Sequence, residues 1–213
     1  MSIGDFQFHL RAGLTLAVLL SFSLPSTLNS QPSPNRVLAL DGNGGHVELP
    51  PNILEGLSEA TVEAWVLWRD LKNKSSVFYY GTPGHDLDVG AEAGGTAQAL
   101  ITAGPQHYAA GRIVGAVRTN RWCHLAVTVG NGEVRFYFDG LLAAFHPFAG
   151  HLTNLGHGAS LFFGKASSHG WVFDGLIDDM RVWRAARSEK QIRDAMFQPL
   201  NGNEADLAGH WDF

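Results

Sequence analysis

Between Thr61 and Trp68 the chain alternates without a break: Val62, Ala64, Val66 and Trp68 fall on one side, Glu63, Trp65 and Leu67 on the other. A period of two in β-branched and aromatic residues is the signature of a strand; the faces of a helix recur every 3.6 residues. Both sides of this strand carry a tryptophan, so it is expected near the centre of its sheet. The same grammar recurs along the chain. Val37–Leu40, His46–Leu49, Ser76–Tyr80, His85–Val89, Ala97–Thr102 and Ile113–Val117 read as strands, and Trp122–Val129, Val134–Phe138, Leu141–Phe145 and Ser160–Gly164 follow. Gly, Pro and Asp-Gly steps separate them, and Asp139-Gly140 is the strongest two-residue hairpin signal. One helix is expected, after Ser188. Ser188 and Gln191 make a capping box, Ile192, Ala195 and Met196 form an apolar stripe, and Pro199 ends the segment. Strands without alternating helices predict an all-β chain: two antiparallel sheets packed as a sandwich or jelly roll, with one short C-terminal helix.

A chain of 213 residues, 45% hydrophobic and 16% charged, can enclose one such core. Its 15 Lys and Arg against 20 Asp and Glu leave a net charge of −5 with no basic run. That excludes a nucleic-acid partner, whose binding rests on neutralising phosphates. Cys123 is the single cysteine, so no intrachain disulfide can form, and its place in an apolar strand reads as a small buried hydrophobe. At the N-terminus, Arg11 precedes an apolar run from Ala12 to Leu24 that Pro25 breaks. Thirteen apolar residues have the length of a secretory leader and fall short of a membrane span. A signal peptide over 1–30, a linker over 31–36, a domain over 37–200 and a following segment or terminal strand over 201–213 are the expected divisions. The alternative reading of the leader is an uncleaved anchor. Both put the domain outside the cytoplasm, secreted or at the cell surface, with no membrane span beyond the leader.

Five pieces in order then resemble one family. They are Ala39–Gly42 with His46–Leu49, Thr61–Val66, Arg121–Ala126, Val134–Gly140, and Gly175–Trp183 with its trailing Arg184–Ser188. This arrangement resembles the LamG-like jelly-roll domains of the concanavalin A-like lectin/glucanase superfamily. The resemblance implies a two-sheet sandwich that serves as a recognition or adhesion module in a larger exported protein, without catalytic residues. Its partner would be a glycan or an extracellular protein. A carbohydrate-active enzyme and a purely structural spacer are the competing readings.

In related sandwiches a carboxylate at the position of Asp178 can help hold a structural calcium with groups at the first turn, here Asp41 and Gly42. Strict alternation puts Asp178 on the inward face with Leu176, Met180 and Val182, where a carboxylate is costly unless bonded. Calcium or backbone N–H groups would each satisfy it. Asp86 and Asp88 share a strand face, as the carboxyls of a glycosidase must, but Glu92 lies too far along for the superfamily's acid motif. No residue is therefore assigned to catalysis. Sugar contacts are expected from aromatics flanking loops, Tyr79, Tyr80, Tyr108 and Trp171, with Asp86 bonding hydroxyls.

Overall fold

A computed structural model describes residues 36–104, 106–155, 159–167 and 170–213, without the side chains of Pro51 and residues 106–110. The expected leader and linker residues 31–35 lie outside the described residues. The strands are β1 (Leu38–Asp41), β2 (Val47–Leu49), β3 (Ala60–Trp68), β4 (Ser75–Thr82), β5 (His85–Glu92), β6 (Thr96–Ala103), β7 (Gln106–Ile113), β8 (Trp122–Gly130), β9 (Glu133–Phe138), β10 (Leu141–Pro147), β11 (Ser160–Phe163), β12 (Asp174–Trp183) and β13 (Leu207–Trp211). One helix, α1 (Glu189–Ala195), stands between β12 and β13.

All strand pairs are antiparallel, and they form two sheets. Sheet A runs β1-β12-β3-β8-β9-β10, with β13 also on β12; sheet B runs β2-β11-β4-β5-β6-β7. β3 occupies one edge of β12 from Gly175 to Trp183. β1 pairs with residues 174–177 and β13 with residues 180–183, so these two lie end to end along the other edge. The inward rows interlock as one core, with Val62, Val66 and Trp68 from β3 facing Phe78, Leu87 and Ile101 of sheet B. Each such side chain, fully removed from water, contributes about 2–3 kcal/mol. The hairpin at Asp139-Gly140 forms as read, both residues having positive φ (49° and 75°) as the turn's twist demands.

Two expectations fail on backbone geometry. The strand expected over Ile113–Val117 is instead the end of β7 and a turn, closed by Ala116 N donating to Ile113 O, with Gly115 at φ 67°. The inward face proposed for Asp178 is also wrong. β12 carries a bulge between Asp178 and Arg181, with Asp179 at φ 49°, and the bulge exchanges its faces. Ile177, Met180 and Val182 are fully buried in the core, whereas Leu176 and Asp178 are half-buried on the outside. The helix is capped as read: Ser188 Oγ accepts from Gln191 N, and Gln191 Oε1 accepts from Ser188 N. Gly175, in the middle of the family-like stretch, is required by packing, since a Cβ there would stand 2.1 Å from the Leu67 carbonyl oxygen.

Candidate functional site

The outer face of sheet B carries polar side chains in the rows that alternate with the core. On β4 and β5, Phe78 and Tyr80 face inward, so Tyr79 faces out, opposite Asp88 and beside Asp86. Tyr79 Oη donates to Asp86 Oδ2 (3.1 Å) and accepts from Ser167 Oγ (2.8 Å), and its ring stacks on Phe162. Burial and the neighbouring Asp86 carboxylate hold the Tyr79 phenol above its usual range. Asp88 is almost wholly buried; it accepts from Ser76 Oγ (2.5 Å) and lies 3.3 Å from the Lys74 ammonium. Burial pushes the Asp88 carboxyl above the ordinary carboxylate range, and Ser76 and Lys74 pull it back. Lys74 also sits 3.3 Å from the centroid of the Trp171 ring and, in the amide orientation that satisfies both partners, donates to Gln98 (2.8 Å).

Between β11 and β12 an antiparallel bridge joins Lys165 to Val172. Trp171 thereby packs against Tyr79, Phe162 and Ala166. Its other surroundings form a cleft of about 540 Å³ at the rim of the sandwich. The turn after β1 contributes Asp41 and Asn43, the β3–β4 loop contributes Asp70, Asn73 and Lys74, and the start of β12 contributes Asp174. Asp41 accepts from the backbone N–H and side-chain amide of Asn43 (3.0 and 3.2 Å), and Asp70 accepts from Lys72 N (2.8 Å). These bonds to the charged form hold both carboxyls below their usual range, ionised at neutral pH. An aromatic wall with convergent hydrogen-bonding groups is the chemistry of a small-molecule site.

The family model for the concanavalin A-like lectin/glucanases superfamily matches residues 41–193. The chain belongs to this superfamily. Among solved structures it is similar to domain 4 of AbnA, an extracellular arabinanase from Geobacillus stearothermophilus, in complex with arabinotriose: 25% identity, TM-score 0.62, covering 74% of this chain and 75% of that one. It is also similar in fold to the CBM40 domain of the Ruminococcus gnavus IT-sialidase bound to α2,3-sialyllactose, at 15% identity and TM-score 0.65, covering 74% and 95%. The NanB sialidase of Streptococcus pneumoniae matches at 12% identity and TM-score 0.64, over 77% of this chain and 27% of that enzyme. Among curated protein sequences there is no significant match.

This superfamily member brings together some of the residues its sequence nominates and separates others. Tyr79, Asp86 and Trp171 share the outer face of sheet B, where Tyr79 bonds Asp86 and packs with Trp171, and of the three only Trp171 lines the cleft. Tyr80 faces the core and is fully buried, because neighbouring strand residues point to opposite faces. Tyr108 lies on β7 opposite Ile101, and its side chain is outside the described residues. Asp41 and Asp178 are not brought together. Asp41 pairs in register with Asp174, which leaves Asp178 about 13 Å further along β12 at about 3.3 Å per residue. Asp178 faces a different cleft, with Trp65, Asp179, Phe197 and His210. Set that far apart along the strand, Asp41 and Asp178 do not fit one shared calcium ion. Sequence reasoning missed Asn43, Asp70, Asn73 and Lys74. The Asp41-Gly42-Asn43 and Asp70 to Lys74 stretches are readable as polar turns, but nothing local shows that both border Trp171.

Proposed function

We propose that this domain is an exported, non-catalytic module that binds a glycan in the rim cleft beside Trp171. The observation that carries the reading is the cleft itself, where one aromatic wall meets Asp41, Asn43, Asp70 and Asn73. Sugars present apolar C–H faces and many hydroxyls, so they need an aromatic surface together with acceptors and donors. The resemblance to AbnA domain 4, described in complex with arabinotriose, supports the same reading. The leader-like run before Pro25 supports export, and no helix among the described residues is long and apolar enough to cross a membrane. Catalysis has no comparable support. Of the two aligned carboxylates on β5, Asp86 is bonded to Tyr79 and Asp88 is engaged by Ser76 and Lys74.

Affinity electrophoresis and calorimetry against plant and host polysaccharides test the proposal. A folded Trp171→Ala variant is expected to lose about tenfold or more in affinity, the equivalent of about 1.4 kcal/mol. Unchanged binding by that variant would move the site elsewhere, and sugar release on incubation would turn the module into an enzyme.

A further inference from the structure

The cleft's charge and the engagement of its cations point to the class of sugar it takes. Three carboxylates line it, from Asp41, Asp70 and Asp174, with the amides of Asn43 and Asn73 between them. Lys74 is the cationic side chain lining the wall, and its ammonium is already shared by the Asp88 carboxylate at 3.3 Å and the Trp171 ring at 3.3 Å. Two further cations stand close by. Arg69 donates to the Leu40 carbonyl (3.1 Å) and pairs with Asp174 (3.4 Å), and the Lys72 ammonium lies 3.4 Å from Asp70.

We infer that the cleft selects neutral, hydroxyl-rich sugars and rejects sugars bearing carboxylate or sulfate groups. This rests on the glycan reading above. A sugar hydroxyl can donate to a carboxylate and accept from an amide, so a neutral ring finds a partner for both of its roles on this wall. An acidic group can only accept. It meets the carboxylates of Asp41, Asp70 and Asp174, and like charges placed together cost affinity. Asp70 and Asp174 have a cation beside them, whereas Asp41 is bonded by the neutral Asn43. To find a cation the acidic group must compete with Asp174 for Arg69, with Asp70 for Lys72, or draw Lys74 from Asp88, which would leave that carboxylate almost wholly buried with its counter-charge removed. Lys74 is thereby a positioning residue: its ammonium holds the Trp171 ring instead of receiving an anion.

The test is a matched panel of neutral oligosaccharides from arabinan, xylan and β-glucan against sialyllactose and oligogalacturonates. Binding to the full chain is measured in low salt, with and without millimolar calcium. A neutral probe is expected to bind at least tenfold more tightly than any acidic one. In an Asp41→Asn/Asp70→Asn variant the gap is expected to narrow several-fold. Preference for an acidic probe would overturn the inference while leaving the glycan reading intact. Acidic binding that emerges only with calcium would also overturn it, by making the carboxylates a cation site. If the folded protein bound no probe of either class, the glycan reading would fall and this inference with it.

Discussion

His124 is the residue at which burial and charge conflict most openly. It sits on the outer face of β8, almost fully buried, with its ring 5.3 Å from Trp65 and Nε2 3.6 Å from Glu63 Oε2. Glu63 is equally buried; its Oε1 accepts from Trp183 Nε1 (2.7 Å) and Arg187 (3.0 Å). Burial, aided by the positive charge of Arg181, pushes His124 down to about 3, so the imidazole is neutral in the folded protein. Its stabilising contribution is therefore present above the ordinary value of about 6.5 and is lost as pH falls toward 3. The slope is about 1.4 kcal/mol per pH unit. Glu63 has the opposite sign. Burial raises its carboxyl from 4.5, so its contribution is full below that value and fades as pH rises through the folded one. The comparison that isolates His124 is between the protein and a His124→Gln variant. Between pH 6.5 and 5 the parent is expected to lose about 2 kcal/mol relative to the variant, measured by urea unfolding at both pH values. Equal pH slopes would show that His124 is not the source.

At the level of single elements, the bulge in β12 and the short helix depend on each other. A helix of seven residues is too short to persist alone. Arg181, fully buried, holds its end by donating to the carbonyls of Ala195 (2.8 Å) and Gln198 (2.7 Å). Asp179 in turn engages Arg181 through both carboxylate oxygens (2.7 and 2.5 Å) and is bonded to His210 of β13 (2.9 Å). Asp179 and Arg181, two residues apart, meet on the outer side of β12 at its bulge, while Met180 between them faces the core. Asp179→Ala leaves the buried guanidinium without its counter-ion and is expected to cost about 3 kcal/mol. A loss under about 1 kcal/mol by chemical denaturation would mean that the carbonyls alone satisfy Arg181. This pairing explains what was legible. The capping box of α1 is a local spacing and reads directly from Ser188 and Gln191. The bulge answers to contacts 14 to 31 residues away, so strict alternation carried Asp178 to the wrong face. Tyr79 and Tyr80 pose a related problem: alternation says that they face opposite ways, but only the packing of sheet B on sheet A decides which is core.

For the whole molecule, the hairpin at Asp139-Gly140 was legible because it is written in its own turn, whereas the rim cleft was not. The cleft joins the first turn, the β3–β4 loop and the start of β12, segments about 30 to 130 residues apart, and only closure of the sandwich makes them neighbours. The last residues, expected to be a terminal strand or the start of a following segment, supply β13. β13 completes the edge of β12 that β1 leaves uncovered, pairing Met180 with Trp211 and Val182 with Gly209. Trp211 folds back over Gly209, where a Cβ would stand 2.4 Å from its ring, and meets Phe163 of sheet B edge to face at 5.3 Å. One side chain from sheet A thus reaches across to the other layer, and Phe213 joins it against the core. If this contact helps close the sandwich, Trp211→Ala should cost about 3 kcal/mol, in the range for removing a packed aromatic. The urea midpoint should fall while the denaturant slope stays unchanged, because the surface exposed on full unfolding is nearly the same. A loss within about 0.5 kcal/mol, the range of ordinary surface substitutions, would mark residues 201–213 as an appendage that the two sheets do not need.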